Sequence, residues 1–495
     1  MFVDTLIIGN GFAGRAVASE LDGDVLIVER GEKFNIFERR QAFDQRLKRE
    51  GVDRHFAKIR DAYASALPFN KPEKIGKDCW SEYILVDGGC SNHWGGLSFR
   101  LSENVFADRA GVFAWPFSMA EMKPFYDKAE GLLRICADPQ DPDGRNARAA
   151  IKGVSKWRKE LEPYFPAAYI GAQSHNLTGD NSNGQGSCMG AGDCELCPMD
   201  AKTRSLHLRT DTRVLNGVMV DSLRFENGKA VEALCTTESG PLSIGFNRLV
   251  VAAHGVESMK LLLRSNLPES TPAHLMGHHY QDHAIAQVTC ILPGSTLPYH
   301  ELSTAAQIVI PELSGELEGV EYTTLGLMTP VGDWALSNAI DLEKINQWEL
   351  EGAIRGVGST LALFILLEIP PEWDVAIGYK DGKISLDSSA YHRKKGVYDR
   401  VVEEIYTKIA AAGAIPLKSG ETRHYNNWFG THHLVGTLGM GNGPRTVVDP
   451  EFKLRGADNV YVVGSAVFPR CGSRNPTVTV VALSLMLADK LNGKV

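Results

Sequence analysis

The chain has 495 residues, 43% hydrophobic and 23% charged, with a formal net charge of −8. That length exceeds what one growing core fills, so two or more domains are expected. The acidic balance argues against a nucleic-acid or anionic-membrane partner, and no uninterrupted apolar stretch approaches the ~20 residues of a bilayer span.

The N-terminus reads MFVDTLIIGNGFAG, without the basic and apolar regions of a secretory signal, so a cytoplasmic location is expected. The apolar run 3–8 predicts a buried parallel strand. Gly9, Gly11 and Gly14 follow in G-x-G-x-x-G spacing, then Ala16, Val17 and Leu21 form a helical apolar stripe, and a second apolar run, 25–28, ends in Glu29. The glycines allow a tight turn, close approach of backbone to a pyrophosphate, and close helix–strand packing. The helix N-terminus then faces the diphosphate charge, and Glu29 stands where a carboxylate binds the hydroxyls of an adenosine ribose. Strand, turn, helix, strand and acid in register predict a dinucleotide site, without choosing between FAD and NAD.

Segment 35–75 is charged with helical apolar spacing and predicts a surface helix. YILVDGGCSNHWGGLSFR, 83–100, reads as a strand followed by a glycine-rich loop, and 115–135 as a proline at a helix start followed by an amphipathic helix. The runs 247–255 and 458–469 predict buried strands ending on glycine, followed by apolar helices over 256–265 and 477–491. Between them, alternating and turn-punctuated sequence predicts a mainly antiparallel sheet. The expected fold is α/β. A Rossmann-like nucleotide-binding domain is built from 1–275 and 431–495, with a helical insertion at 35–75 and a cysteine-rich one at 181–205. A substrate-binding domain occupies 276–430.

Six of the nine cysteines (Cys79, Cys90, Cys136, Cys235, Cys290, Cys471) are scattered, as expected of reduced, buried thiols. Cys188, Cys194 and Cys197 instead fall within ten residues, spaced C-x5-C-x2-C and followed by proline. A disulfide is disfavoured without an export signal. Zinc would need a fourth ligand, such as His207, and three thiolates suit an iron–sulfur cluster. These readings, and that of no metal, stay open on the residues alone.

Four separated stretches resemble the glucose–methanol–choline (GMC) oxidoreductases: GNGFAG with Glu29, GGCSNHWGG at 88–96, LVVAAHGVESMKLLLRS at 249–265, and the long block 432–483. The resemblance implies FAD rather than NAD and oxidation of a CH–OH group by hydride transfer to flavin N5. His433 is the implied general base and Asn475 its partner. A neutral imidazole suits removal of a hydroxyl proton, and an amide beside it holds the substrate oxygen. Implied FAD contacts further include Gly89, Ser91, Asn92, His93, Gly464, Ser465, Pro476 and Thr477. His93 holds the position that is linked covalently to flavin in pyranose 2-oxidases. Bacterial glucose dehydrogenases show a similar loop, so linkage and plain packing both remain open. His432 and His283 are read as structural.

Bacterial FAD-dependent glucose and fructose dehydrogenases carry a [3Fe–4S] cluster in an insertion resembling 188–197, although the last gap here is one residue shorter. The expected enzyme is thus an FAD-dependent sugar or polyol dehydrogenase. Electrons would pass through the cluster to a cytochrome or quinone, with a small signal-bearing partner subunit as a route to export. The alternatives are an oxygen-using oxidase of pyranose-oxidase type and a non-redox lyase or isomerase retaining FAD.

Overall fold

A computed structural model describes residues 1–31, 33, 73–74, 80–81, 87–92, 96–107, 114–133, 135, 160–170, 212–295, 307–327, 358–417 and 433–494. The expected surface helix at 35–75 lies outside them, apart from a two-residue strand at Glu73–Lys74.

The first sheet begins with β1 (Phe2–Ile8), crosses through α1 (Phe12–Glu20) and returns as β2 (Val25–Val28), parallel to β1 in the register Ile8↔Val28. β2 is wholly buried, the pattern of a strand covered on both faces. β3 (Arg213–Leu215) extends the sheet on that side. β4 (Met219–Glu226), β5 (Lys229–Thr237) and β6 (Gly240–Val251) form an antiparallel meander. The C-terminal half of β6 then lies parallel to β1. The predicted apolar helix follows as α2 (Gly255–Arg264).

The second sheet is antiparallel throughout. It contains β7 (His283–Pro293), β8 (Gln307–Val309), β9 (Val320–Leu327), β10 (Gly358–Glu368) and β11 (Ile415–Leu417), with the helix α3 (Gly396–Ala411) leading into β11. Its order is β11–β7–β10–β9–β8, and Tyr169–Ile170 pairs at the β8 edge. The chain then returns to the first sheet: β12 (Val460–Val462) pairs parallel to β6, and α4 (Thr477–Leu491) packs on α1. The fold is therefore α/β, a nucleotide-type sheet assembled from distant segments beside a mainly antiparallel one.

The helix α4 is apolar nearly all round, with Val478, Val481, Leu483, Leu485 and Leu487 at 0% exposure. Each such side chain contributes roughly 1.5–3 kcal/mol of burial free energy, which roots the C-terminal segment in the fold. Two expectations need correction. The helix predicted near 115 starts at Met119, with Ser118 as N-cap in a capping box with Glu121, because a side-chain oxygen satisfies the first-turn N–H groups that Pro116 cannot. Cys235, Cys290 and Cys471 are buried as expected, but Cys90 is exposed on a turn.

Candidate active site

The nucleotide motif is built from the backbone outward. Gly9 leaves β1 at φ +103°, and a Cβ there would stand 2.6 Å from the carbonyl oxygen of Ala252. A Cβ on Gly14 would stand 1.9 Å from the Gly9 carbonyl oxygen, so only glycine lets α1 lie this close to the turn. Gly11 differs: its backbone is extended, the nearest atom a Cβ would meet is the Gly88 carbonyl oxygen at 3.8 Å, and no side chain caps α1. An open, uncapped helix N-terminus beside a backbone without side chains is what a diphosphate requires. At the end of β2, Glu29 accepts from the N–H groups of Asn10 (2.8 Å) and Gly31 (2.7 Å). Burial raises its carboxyl above the ordinary value, and those two N–H bonds oppose the rise. A carboxylate has lone pairs left for ribose hydroxyls. These residues fit the dinucleotide end of FAD.

The glycine-rich loop is brought to the same place. Asp87 bonds the amide of Asn10 and pairs with Arg15 at 3.4 Å. The turn Gly89–Asn92 follows, closed by the Ser91 hydroxyl donating to the Gly88 carbonyl at 2.8 Å. Ser91 is thus committed to its own turn. His93, His207, His432 and the three clustered cysteines Cys188, Cys194 and Cys197 lie outside the described residues. Gly464, at φ +95°, turns the chain after β12 into Ser465–Val467, and the Ser465 carbonyl accepts from Gly436 N–H at 3.0 Å. Pro476 and Thr477 open α4, immediately after Asn475.

The two expected catalytic residues meet. His433 Nε2 lies 2.9 Å from Asn475 Nδ2, although 42 residues separate them. Gln281 and Val435 exchange both backbone hydrogen bonds, each at 3.0 Å, in an antiparallel bridge. Two residues outward on each side, that register brings His283 opposite His433, and their Nδ1 atoms are 2.8 Å apart. Between them, Asp282 Oδ1 accepts from the backbone N–H groups of both His283 (2.7 Å) and His433 (3.0 Å). Asp282, His283 and His433 share the spacing of a metal site. Ligand nitrogens at ~2.1 Å around a tetrahedral ion would stand about 3.4 Å apart, however, whereas 2.8 Å is a hydrogen bond.

Asn475 is set by a loop held at one end of the second sheet. Arg470 donates Nε and Nη2 to the two carboxylate oxygens of Glu368 at 2.5 and 2.6 Å, with Arg470 2% and Glu368 0% exposed. Cys471 N–H donates to Gln281 Oε1 (3.1 Å), and Ser473 donates its N–H (3.2 Å) and hydroxyl (2.9 Å) to Glu321 Oε1. Sequence reasoning missed Glu321, Glu368 and Arg470 and read His283 as merely structural. The available signal was a glutamate ending the apolar run of β10, since a buried charge demands a buried partner.

Residues 393–484 match the family profile described as GMC oxidoreductase. The chain is 24% identical to 6'''-hydroxyparomomycin C oxidase of Streptomyces lividus, over 97% of this chain and 90% of that one. It is 20% identical to the fructose dehydrogenase large subunit of Gluconobacter japonicus, over 82% and 80%. The solved structure of pyridoxine 4-oxidase from Mesorbium loti superposes with a TM-score of 0.60 at 17% identity, covering 99% of each chain.

Proposed function

We propose that the chain acts as a GMC oxidoreductase, as its likeness to that family supports, and oxidises a CH–OH group of a sugar-like or polyol substrate with FAD as hydride acceptor. The observation that carries this reading is the His433–Asn475 pair at 2.9 Å. A substrate hydroxyl entering between the two side chains would donate to His433 Nε2 while accepting from the Asn475 amide. Removal of that proton builds negative charge on oxygen, which weakens the C–H bond and lets hydride depart as the carbonyl forms. His433 keeps the proton, and Asn475 holds the oxygen in line. FAD, when bound, supplies the two-electron acceptor. Gly9, Gly11, Gly14 and Glu29 would hold its dinucleotide end, with the 87–92 turn, the Gly464–Ser465 turn and the start of α4 along the remainder.

Anaerobic flavin reduction by a panel of sugars and polyols tests the base. His433→Ala should slow it by about 10²–10⁴-fold with flavin content retained. Reduction by every accepted substrate at the native rate would end the assignment.

The route of electrons away from the flavin rests on the sequence. Cys188, Cys194 and Cys197 support an iron–sulfur cluster and an external acceptor, and the likeness to a protein named as a large subunit supports a small partner subunit. The likeness to a protein named as an oxidase supports oxygen instead. Iron and acid-labile sulfide analysis of the holoenzyme, with turnover on oxygen against a one-electron dye, separates the two. Flavin retained after acid precipitation would support linkage at His93. Among the described residues, no helix is long and apolar enough to cross a membrane.

A further inference from the structure

We infer that His283 is a positioning residue that fixes the tautomer of His433, keeping the lone pair on Nε2, the atom that faces Asn475. The inference rests on the proposed role of His433 and deepens it.

The chain of hydrogen bonds starts at a group that cannot donate. The Gly472 carbonyl oxygen lies 2.9 Å from His283 Nε2, so that nitrogen carries the proton. His283 is 0% exposed, and burial lowers its pKa to about 4, so the ring is neutral and its Nδ1 is a lone pair. Only a donor can sit 2.8 Å from that lone pair, so His433 Nδ1 carries a proton. A neutral His433 then has its lone pair on Nε2, and Asn475 meets it with Nδ2, the donor end of its amide, at 2.9 Å. The donor end of the Asn475 amide thus faces the lone pair that this chain of bonds leaves on His433 Nε2. The opposite tautomer would set two lone pairs against each other at 2.8 Å.

The direction matters because histidine in water prefers its proton on Nε2. Without His283, the base position would more often present N–H to the substrate hydroxyl, and a general base in the wrong tautomer loses orders of magnitude in rate. The device costs no ionised group. It consists of one carbonyl, one buried neutral ring, and the antiparallel register that puts residue 283 opposite residue 433.

Leucine and asparagine are near-isosteric, so His283→Leu and His283→Asn share any packing loss. Asparagine alone keeps an acceptor near the position of Nδ1. The direct measurement is ¹⁵N NMR of histidine-labelled, oxidised holoenzyme without substrate, with the His433 signals identified by their loss in His433→Gln. Expected are a protonated Nδ1 and bare Nε2 on His433 in the native enzyme and in His283→Asn, and a mixture in His283→Leu. Flavin reduction at saturating substrate should be slower by about a hundredfold in His283→Leu and within about tenfold of native in His283→Asn, with half-saturation unchanged in both. Protonated Nε2 in the native enzyme would overturn the inference, as would equal tautomers and rates in the two variants. If His283→Leu fails to fold, the native spectrum still decides. The spectrum needs no turnover, so failure of His433 as the base is scored separately, by His433→Ala.

Discussion

Gly11→Ala and Gly14→Ala, three residues apart in one turn, should have opposite consequences. In Gly14→Ala the new methyl would fall 1.9 Å from the Gly9 carbonyl oxygen, a backbone atom that cannot swing aside as a side chain could. An ordinary contact needs about 3.4 Å or more, so α1 must retreat from β1 by more than an ångström. Overpacking of this kind costs about 1–3 kcal/mol, which exceeds the ~1 kcal/mol that alanine gains over glycine inside a helix. Gly11 has φ −75° and ψ −170°, ordinary for alanine, and its methyl would find nothing closer than 3.8 Å. The folded apoprotein should therefore change by less than about 1 kcal/mol. That same methyl would project from the uncapped start of α1, where the proposed diphosphate site lies, and FAD affinity should fall at least about tenfold, or ~1.4 kcal/mol. Thermal unfolding of the apoproteins reads the first effect, and titration with FAD reads the second. Native FAD affinity in Gly11→Ala would remove the diphosphate from this turn, and a native unfolding midpoint in Gly14→Ala would refute the packing argument.

Arg470→Met leaves the fully buried Glu368 carboxylate without its guanidinium and should destabilise the protein by about 3–5 kcal/mol at neutral pH. Burial raises Glu368 to about 6 even with Arg470 bonded to it. Stability linked to its protonated form is full below the ordinary carboxyl range and lost as pH rises through 6, so the variant's deficit should be smaller at pH 5 than at pH 8. His283 is buried and His254 partly so, and burial lowers each to about 4. The unfolded chain takes up protons near 6.5 while the native rings refuse them, so stability is full above 6.5. It should fall by about 3 kcal/mol per ring as pH drops towards 4, as read by denaturant midpoints across that range. Gln287 lies on the same face of β7 as His283, and both ends of its amide are buried with no hydrogen-bond partner among the described residues. Gln287→Met should raise the unfolding midpoint of the substrate-free protein, removing a desolvation cost of about 1–3 kcal/mol; an unchanged or lower midpoint counts against an unpaired amide.

The glycine turn between β1 and α1 was legible because everything it needs is local. Strand, glycine spacing, helix and acid occupy residues 3–29, and alternatives to glycine are excluded by contacts within that unit and with the neighbouring strand. The apolar helix at 477–491 was equally plain, since a run buried on nearly every side has one composition. Boundaries set by a side-chain hydrogen bond were less so: Ser118, rather than Pro116, starts its helix because its oxygen meets the Glu121 N–H.

Distant pairings separate the two sources of information. By itself the sequence determined a glycine-rich strand–turn–helix unit, two kinds of sheet, and a histidine and an asparagine set in a block that resembles the GMC oxidoreductases. Only the tertiary structure decided that the asparagine's loop hangs from Arg470 and Glu368, and that His283 stands opposite His433. The reason is physical. A buried charge or ring nitrogen is defined by the partner that satisfies it, and here those partners lie 102 and 150 residues away along the chain.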